Sequence, residues 1–263
     1  MRKIFKYISV ALFCSCTTAQ DIADSLSLRV ENDMLFYQTE ENKYAQSTKI
    51  FVKVILTNHS KSSYLIPLDT ATFNIYDYAK EFEIELDGHL FGSPTTIFRP
   101  WIKVYDTLNN QPPKSFTSIK PDLESDEYKE ESKKRAEQMK ILMAERKEAY
   151  DKYGYMKTEK MIEMPEFYYF LKKHQYIIKP NQSIEFTIPV TLPENKVMLG
   201  TFRESFLLKD DENYKAVVEI DYTYNSLDKI LTQKDKDSLD RLNIKMFNGK
   251  LRSNKVDMTP ICN

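Results

Sequence analysis

Residues able to act as nucleophiles, bases or metal ligands are few and scattered in this chain. His59, His89 and His174 stand too far apart in sequence for a His-x-x-x-His zinc pair, and Cys262 alone cannot build a thiolate site. Phosphate loops, dinucleotide fingerprints and nucleophile elbows need glycine at fixed offsets, where the backbone must turn sharply or approach a ligand. Beyond the first nineteen residues the glycines are Gly88, Gly92, Gly154, Gly200 and Gly249, and none fits such a motif. A Ser–His–Asp triad would have to be assembled across the fold without an elbow. His59, beside Ser60 in a polar stretch, reads as an exposed loop histidine. No catalytic residue, cofactor or metal ligand is assigned.

Two acidic groups invite a cation-binding reading. Glu81, Glu83 and Glu85 alternate with Phe82, Ile84 and Leu86, so their carboxylates share one strand face. The alternation favours a solvated face opposite a buried one. Asp210-Asp211-Glu212-Asn213 lacks the alternating acids and central glycine of a calcium loop and reads as a plain connection. A pair of glycosidase carboxylates would meet only through tertiary structure.

The aromatic residues are more informative. Tyr150, Tyr153, Tyr155, Phe167, Tyr168, Tyr169, Phe170 and Tyr176 fall within one short stretch. Tyrosine combines an apolar body with a polar tip, which suits protein or glycan recognition. Tyr150, Tyr153, Tyr155, Tyr168, Tyr169 and Tyr176 are therefore the candidate interaction surface. The alternative, which we favour, is a staple docking a thinly apolar helix onto the rest of the fold. Trp101 and Tyr105 read as core or core-edge residues.

The elements that must position these groups follow from periodicity. Alternation over 49–56, 64–66, 81–86, 183–192, 201–208 and 215–224 predicts half-buried antiparallel strands. Pro189 demotes its strand to an edge or bulge. Asn248-Gly249 is the strongest hairpin signal, predicting a terminal strand pair. Between the strand blocks, 123–153 has no Gly or Pro and carries Glu130/Lys134, Glu131/Arg135 and Glu148/Lys152 as i,i+4 pairs. Its apolar stripe is intermittent, so one long, largely exposed helix is expected. A weaker helix is expected over 226–242.

The first residues read as an export signal. Arg2, Lys3 and Lys6 precede the apolar run Tyr7–Phe13, which is too short to span a bilayer. Thr17 and Ala19 suit a cut that leaves Gln20 first. Alternatively, Cys16 sits in a loose lipobox and would carry lipid, tethering the chain to a membrane. Removing residues 1–19 takes three cations and no acid from the 38 basic and 39 acidic residues, leaving a net charge of -4. Such a balance offers no basic excess for nucleic acid. A 41% hydrophobic and 13% aromatic composition argues for a packed core over disorder.

Strands, then helix, then strands predict a mainly β fold. The runs Phe51-Val-Lys-Val-Ile-Leu-Thr-Asn58 with Tyr64-Leu-Ile-Pro67, Pro180-Asn-Gln-Ser-Ile-Glu-Phe-Thr-Ile188 and Phe247-Asn-Gly-Lys-Leu-Arg-Ser-Asn254 carry a resemblance. With the signal ending Thr-Thr-Ala-Gln20, the chain resembles exported immunoglobulin-like β-sandwich envelope proteins of the Bacteroidetes type. The resemblance covers roughly half of the mature chain at superfamily level and implies no catalytic residues. It implies an antiparallel immunoglobulin-like β-sandwich over 20–263, following a 1–19 signal peptide, with a long helical insertion at about 122–172. Such a protein would sit in the periplasm, at the outer membrane or outside the cell. It would bind an envelope protein or glycan as a non-enzymatic module, through the helix and the aromatic segment or through loops at one sandwich end. A hydrolase is the remaining alternative.

Overall fold

The computed structural model describes residues 25–37, 49–73, 97–108, 110, 113, 115–118, 126–154, 165–190, 192, 196–198, 202–206, 208–209, 211–222, 227 and 230–261. The Glu81–Leu86 run, His89, Cys16, Cys262 and Tyr155 lie outside them, as do Gly88, Gly92 and Gly200. The fold is mainly β, with antiparallel and mixed sheets and few helices.

Its central feature is a long two-stranded ribbon. Strands β3 (Ile50–Asn58) and β4 (Ser63–Pro67) run in one direction. Strands β7 (Gln175–Ile178) and β8 (Ser183–Val190) return antiparallel beside them. The ladder pairs Ile50 with Val190 and Thr57 with Ser183, breaks, and resumes with Tyr64 opposite Ile178. On one side of the break β1 (Leu26–Val30) adds to β3, giving the order β1-β3-β8. On the other side β12 (Ile244–Met246) joins β4, giving β12-β4-β7. Val52, Val54 and Leu56 point inward, as alternation requires, and Pro189 occupies an edge strand.

Asn58 makes the break tolerable. It is fully buried, and burying an amide is costly unless its hydrogen bonds are made. Its Nδ2 donates to the carbonyls of Ser62 (2.8 Å) and Ile178 (3.0 Å). Its Oδ1 accepts from the backbone N–H (2.9 Å) and hydroxyl (2.7 Å) of Ser60. Its own N–H donates to Gln182 and its carbonyl accepts from Asn181, which takes a positive φ of 58°. Asparagine is one of the few side chains that accept that backbone readily. Every polar atom of Asn58 is thus bonded, and both strands are held at the bend.

A second sheet faces this ribbon. Strand β11 (Tyr214–Asp221) pairs with β5 (Trp101–Asp106) along one edge. Along its other edge lie, end to end, β13 (Lys250–Arg252) and β14 (Val256–Pro260). Between those two segments Ser253, Asn254 and Lys255 stand opposite only Val217 and Val218, which makes a bulge. Ser253 Oγ accepts the Val218 N–H at 2.9 Å, and Asn254 bonds both the N–H (2.8 Å) and the carbonyl (3.2 Å) of Val30 on β1. One bulge therefore ties the two sheets together. Strand β2 (Met34–Tyr37) closes the sheet beside β14. A smaller sheet of β6 (Ser115–Ser118), β9 (Lys196–Met198) and β10 (Phe202–Phe206) completes the strands. Leu28, Val54, Ile66, Ile102, Val218 and Leu251 meet in one apolar core.

Three expectations need correction. Asn248-Gly249 does not form a hairpin. The Phe247 N–H reaches Leu65 in one sheet, and the Gly249 carbonyl accepts from Tyr222 in the other. The segment crosses between layers because each flanking strand finds a better-matched distant partner. The pairing is also not wholly antiparallel, since β12 runs parallel to β4 and β2 parallel to β14. Lastly, of the helix expected over 226–242 the described residues show Gln233–Arg241, while Leu227, Ile230 and Leu231 are buried before it.

Alternation fails as a guide on β11, where both faces are covered. On its outer face Glu219 is only 3% exposed, held by Lys103 and Lys250 at 2.8 Å each. Arg252 lies over the ring of Tyr105, so long cationic stems roof this face.

Asn58→Ala should lower stability by about 3 kcal/mol, because several buried partners lose their bonds together. Urea unfolding should show an earlier midpoint with an unchanged slope, whereas a loss below about 1 kcal/mol would mean that water replaces the amide.

Candidate functional site

The aromatic stretch is organised by three helices. Helix α1 (Asp126–Ala149) is followed directly by a π-helical turn, Tyr150–Gly154. Helix α2 (Pro165–Lys173) is short and strongly amphipathic: Phe167, Tyr168, Phe170 and Leu171 share its buried face. Helix α3 (Gln233–Arg241) starts on Thr232, whose hydroxyl and backbone exchange bonds with Asp235 in a capping box. Thr232-x-x-Asp235 is the local signal that marks this helix start in the sequence.

Helix α1 is 24 residues long, about 36 Å at 1.5 Å per residue. Lys129, Lys133, Ala136, Lys140, Ile141, Met143 and Lys147 are all exposed, and Ala149 is buried at the C-terminal end. Contact with α2 is made at that base. Lys173 Nζ donates to Glu145 at 2.7 Å, and the Tyr169 hydroxyl donates to Glu148 at 3.1 Å. Tyr153 stands edge-on to Tyr168, with centroids 4.8 Å apart, and tilts against Tyr169 at 6.5 Å. Edge-to-face rings gain from their quadrupoles beyond the area they bury.

Tyr168 is buried, and its hydroxyl donates to Asp235 at 2.8 Å. Asp235 also accepts from Lys172 Nζ and the Thr232 hydroxyl, both at 2.5 Å. Burial pushes the Asp235 carboxyl up, but the bonds from Lys172, Thr232 and Tyr168 outweigh it and hold it below its ordinary value. Burial, with Asp235 alongside, raises the Tyr168 phenol well above its usual range. One carboxylate therefore fastens α2 to α3.

The other end of α2 meets the ribbon. The ring of His174 stacks on Phe170, and the His174 carbonyl accepts the Leu68 N–H. Asp69, 3% exposed, accepts from Arg99 Nε at 2.9 Å and from the Ala71 N–H at 3.0 Å. His174 Nδ1 lies 3.9 Å from Asp69 Oδ1, beyond hydrogen-bond length.

Of the sequence-selected tyrosines, Tyr153, Tyr168 and Tyr169 come together. Tyr150 stands beside them, 49% exposed. Tyr176 goes elsewhere, packing edge-on against Phe186 on the ribbon at 5.1 Å. Tyr153, Tyr168 and Tyr169 pack on one another at the junction of α2 with the turn after α1, and Tyr168 is buried there. Asp69, Arg99, His174 and Asp235 were not selected, because the contacts that join them to other elements (Arg99–Asp69, His174–Asp69 and Tyr168–Asp235) span 30 or more residues. His59 is exposed, as expected, with Nε2 2.7 Å from Ser27 Oγ. That Ser–His pair lies before β4 and the His174–Asp69 pair after it, at opposite ends of the strand, so they do not combine into a triad. Among the described residues no group of three or more His, Cys, Asp or Glu is arranged to hold a metal, and no helix is long and apolar enough to cross a membrane.

Tyr168→Phe should cost about 2 kcal/mol, the scale of a hydrogen bond to a charged group. A double-mutant cycle with Lys172→Met should show coupling, because both side chains use Asp235; strict additivity would separate them. The Asp235 contribution should be full above its ordinary value of 3.8 and be lost as pH falls through its lower folded value. Asp235→Asn should flatten that acid limb of the stability curve.

No family model, curated protein or solved structure matches the chain.

Proposed function

We propose that this chain is an exported cell-envelope protein, a non-enzymatic binding or structural module on an immunoglobulin-like β-sandwich. The helical region is its insertion and α1 its contact surface. The observation that carries this reading is the placement of α1. A long helix whose exposed residues span most of its length is fastened at its base by Tyr153, Glu145 and Glu148. A helix this polar gains little from its own fold, and such a helix commonly bridges to something else. The sandwich reading is supported by the shared core and by the bulge that joins the two sheets. The export reading is supported by the charged, apolar and small-residue order of 1–19. The partner is an envelope protein or glycan, reached from a soluble form or from a lipid on Cys16.

Mass spectrometry of the protein from an envelope fraction should find Gln20 first, or a lipid-modified Cys16; an intact Met1 would refute export. Deleting residues 124–152 should preserve the strand-type circular dichroism and abolish cross-linking from a photoreactive group at Lys140 or Met143 to an envelope component. Unfolding on deletion would make α1 part of the core. Cross-links arising only from loops at a sheet end would favour the loop-borne ligand binder.

A further inference from the structure

One titratable side chain lies directly beside the fastening of α1. Lys173, which holds Glu145 of α1, is followed immediately by His174. The His174 ring is wedged between Phe170, a core residue of α2, and the buried carboxylate of Asp69. The charged groups around it come from every neighbouring element: Asp69 after β4, Arg99 before β5, Lys173 on α2 and Glu145 on α1.

We propose that His174 is a proton sensor that loosens the base of α1 when it becomes charged. Asp69 is already engaged by Arg99 and Ala71, and at 3.9 Å it makes no hydrogen bond to the ring. A charged His174 can be satisfied in two ways: the ring leaves its stack on Phe170 to reach Asp69 Oδ1, or Asp69 turns that oxygen from the Ala71 N–H toward the ring. Either movement disturbs the seat of the last turn of α2. It also adds a second cation that repels Lys173 and attracts Glu145, and so competes for the Lys173–Glu145 tie. Burial, the largest influence, already holds the imidazole below its ordinary value of 6.5, with Asp69 opposing and Lys173 adding to the effect. The folded state therefore binds fewer protons than the unfolded one. The stabilisation is whole above 6.5 and is lost as pH falls from there through the folded value.

The test is hydrogen exchange on the full mature chain at about pH 7.5 and about pH 5.5, either side of the ordinary histidine value, corrected for intrinsic rates. Amide protection across residues 141–154 should fall severalfold at the lower pH. Protection in β3 and β8 should hold. His174→Phe keeps a stacked ring without a proton site and should remove the pH response, and His174→Gln serves if that variant fails to fold. Glu145→Gln should loosen the base at both pH values. A response that persists in both His174 variants, no response in the native chain, or equal loss in β3 would overturn the proposal.

Discussion

Everything in the described fold depends on how two long strands cross a bend without leaving polar groups stranded. The β3–β4 and β7–β8 ribbon must lose its ladder between Asn58 and Ser63, and each lost backbone bond inside a core is costly. Asn58 replaces the missing ladder with its own amide, serving both strands from a fully buried position. With the bend secured, one half of the ribbon receives β1 and the other receives β12. At the far end Tyr222 donates its hydroxyl to the Pro67 carbonyl, Asp69 holds Arg99, and the Leu68 N–H donates to the His174 carbonyl just after α2. The helical region thus rests on a platform that one asparagine keeps in register.

The same device recurs wherever elements meet. Asn254 joins β1 to the bulged edge strand, Glu219 gathers two lysines on the outer face of β11, and Asp235 joins α2 to α3. Each is a polar side chain that bonds to a group of another element. Apolar burial supplies the larger driving force but is non-directional, so it does not by itself choose among similar packings. These satisfied polar junctions discriminate, because a slipped register would leave a buried carboxylate or amide without partners. Helix α1 stands apart from this scheme. Its base is held by an ion pair, a phenol–carboxylate bond and the packing of Tyr153 on Tyr168 and Tyr169. The two polar ties are partly exposed and individually weak, so they open at little cost.

Much of the strand content was legible in the sequence. Val52, Val54 and Leu56 alternate and are buried, and Pro189 marks an edge. The glycine-free, charge-paired run after Leu123 is the long helix. The aromatic cluster was legible as a cluster, yet its division was not. Tyr153 and Tyr168 meet across a helix junction, while Tyr176, only eight residues beyond Tyr168, belongs to a strand facing Phe186. The hairpin signal at Asn248-Gly249 misled for a related reason. A favourable turn pair states what the backbone tolerates, and Leu65 and Tyr222 decided where it went.

The amino-acid sequence by itself determined the local states: which residues extend, which coil and which faces are apolar. Those properties depend on neighbours two to four positions away, which periodicity records directly. Only the tertiary structure decided that β12 and β2 would pair in parallel, that Asn58 would become the buried hinge of the ribbon, and that Asp69, Arg99 and His174 would meet at the foot of α2. Those outcomes join residues tens to more than a hundred positions apart. They are selected by burying the apolar faces in one core while every enclosed polar group keeps a partner, a condition on the whole chain that no short window contains.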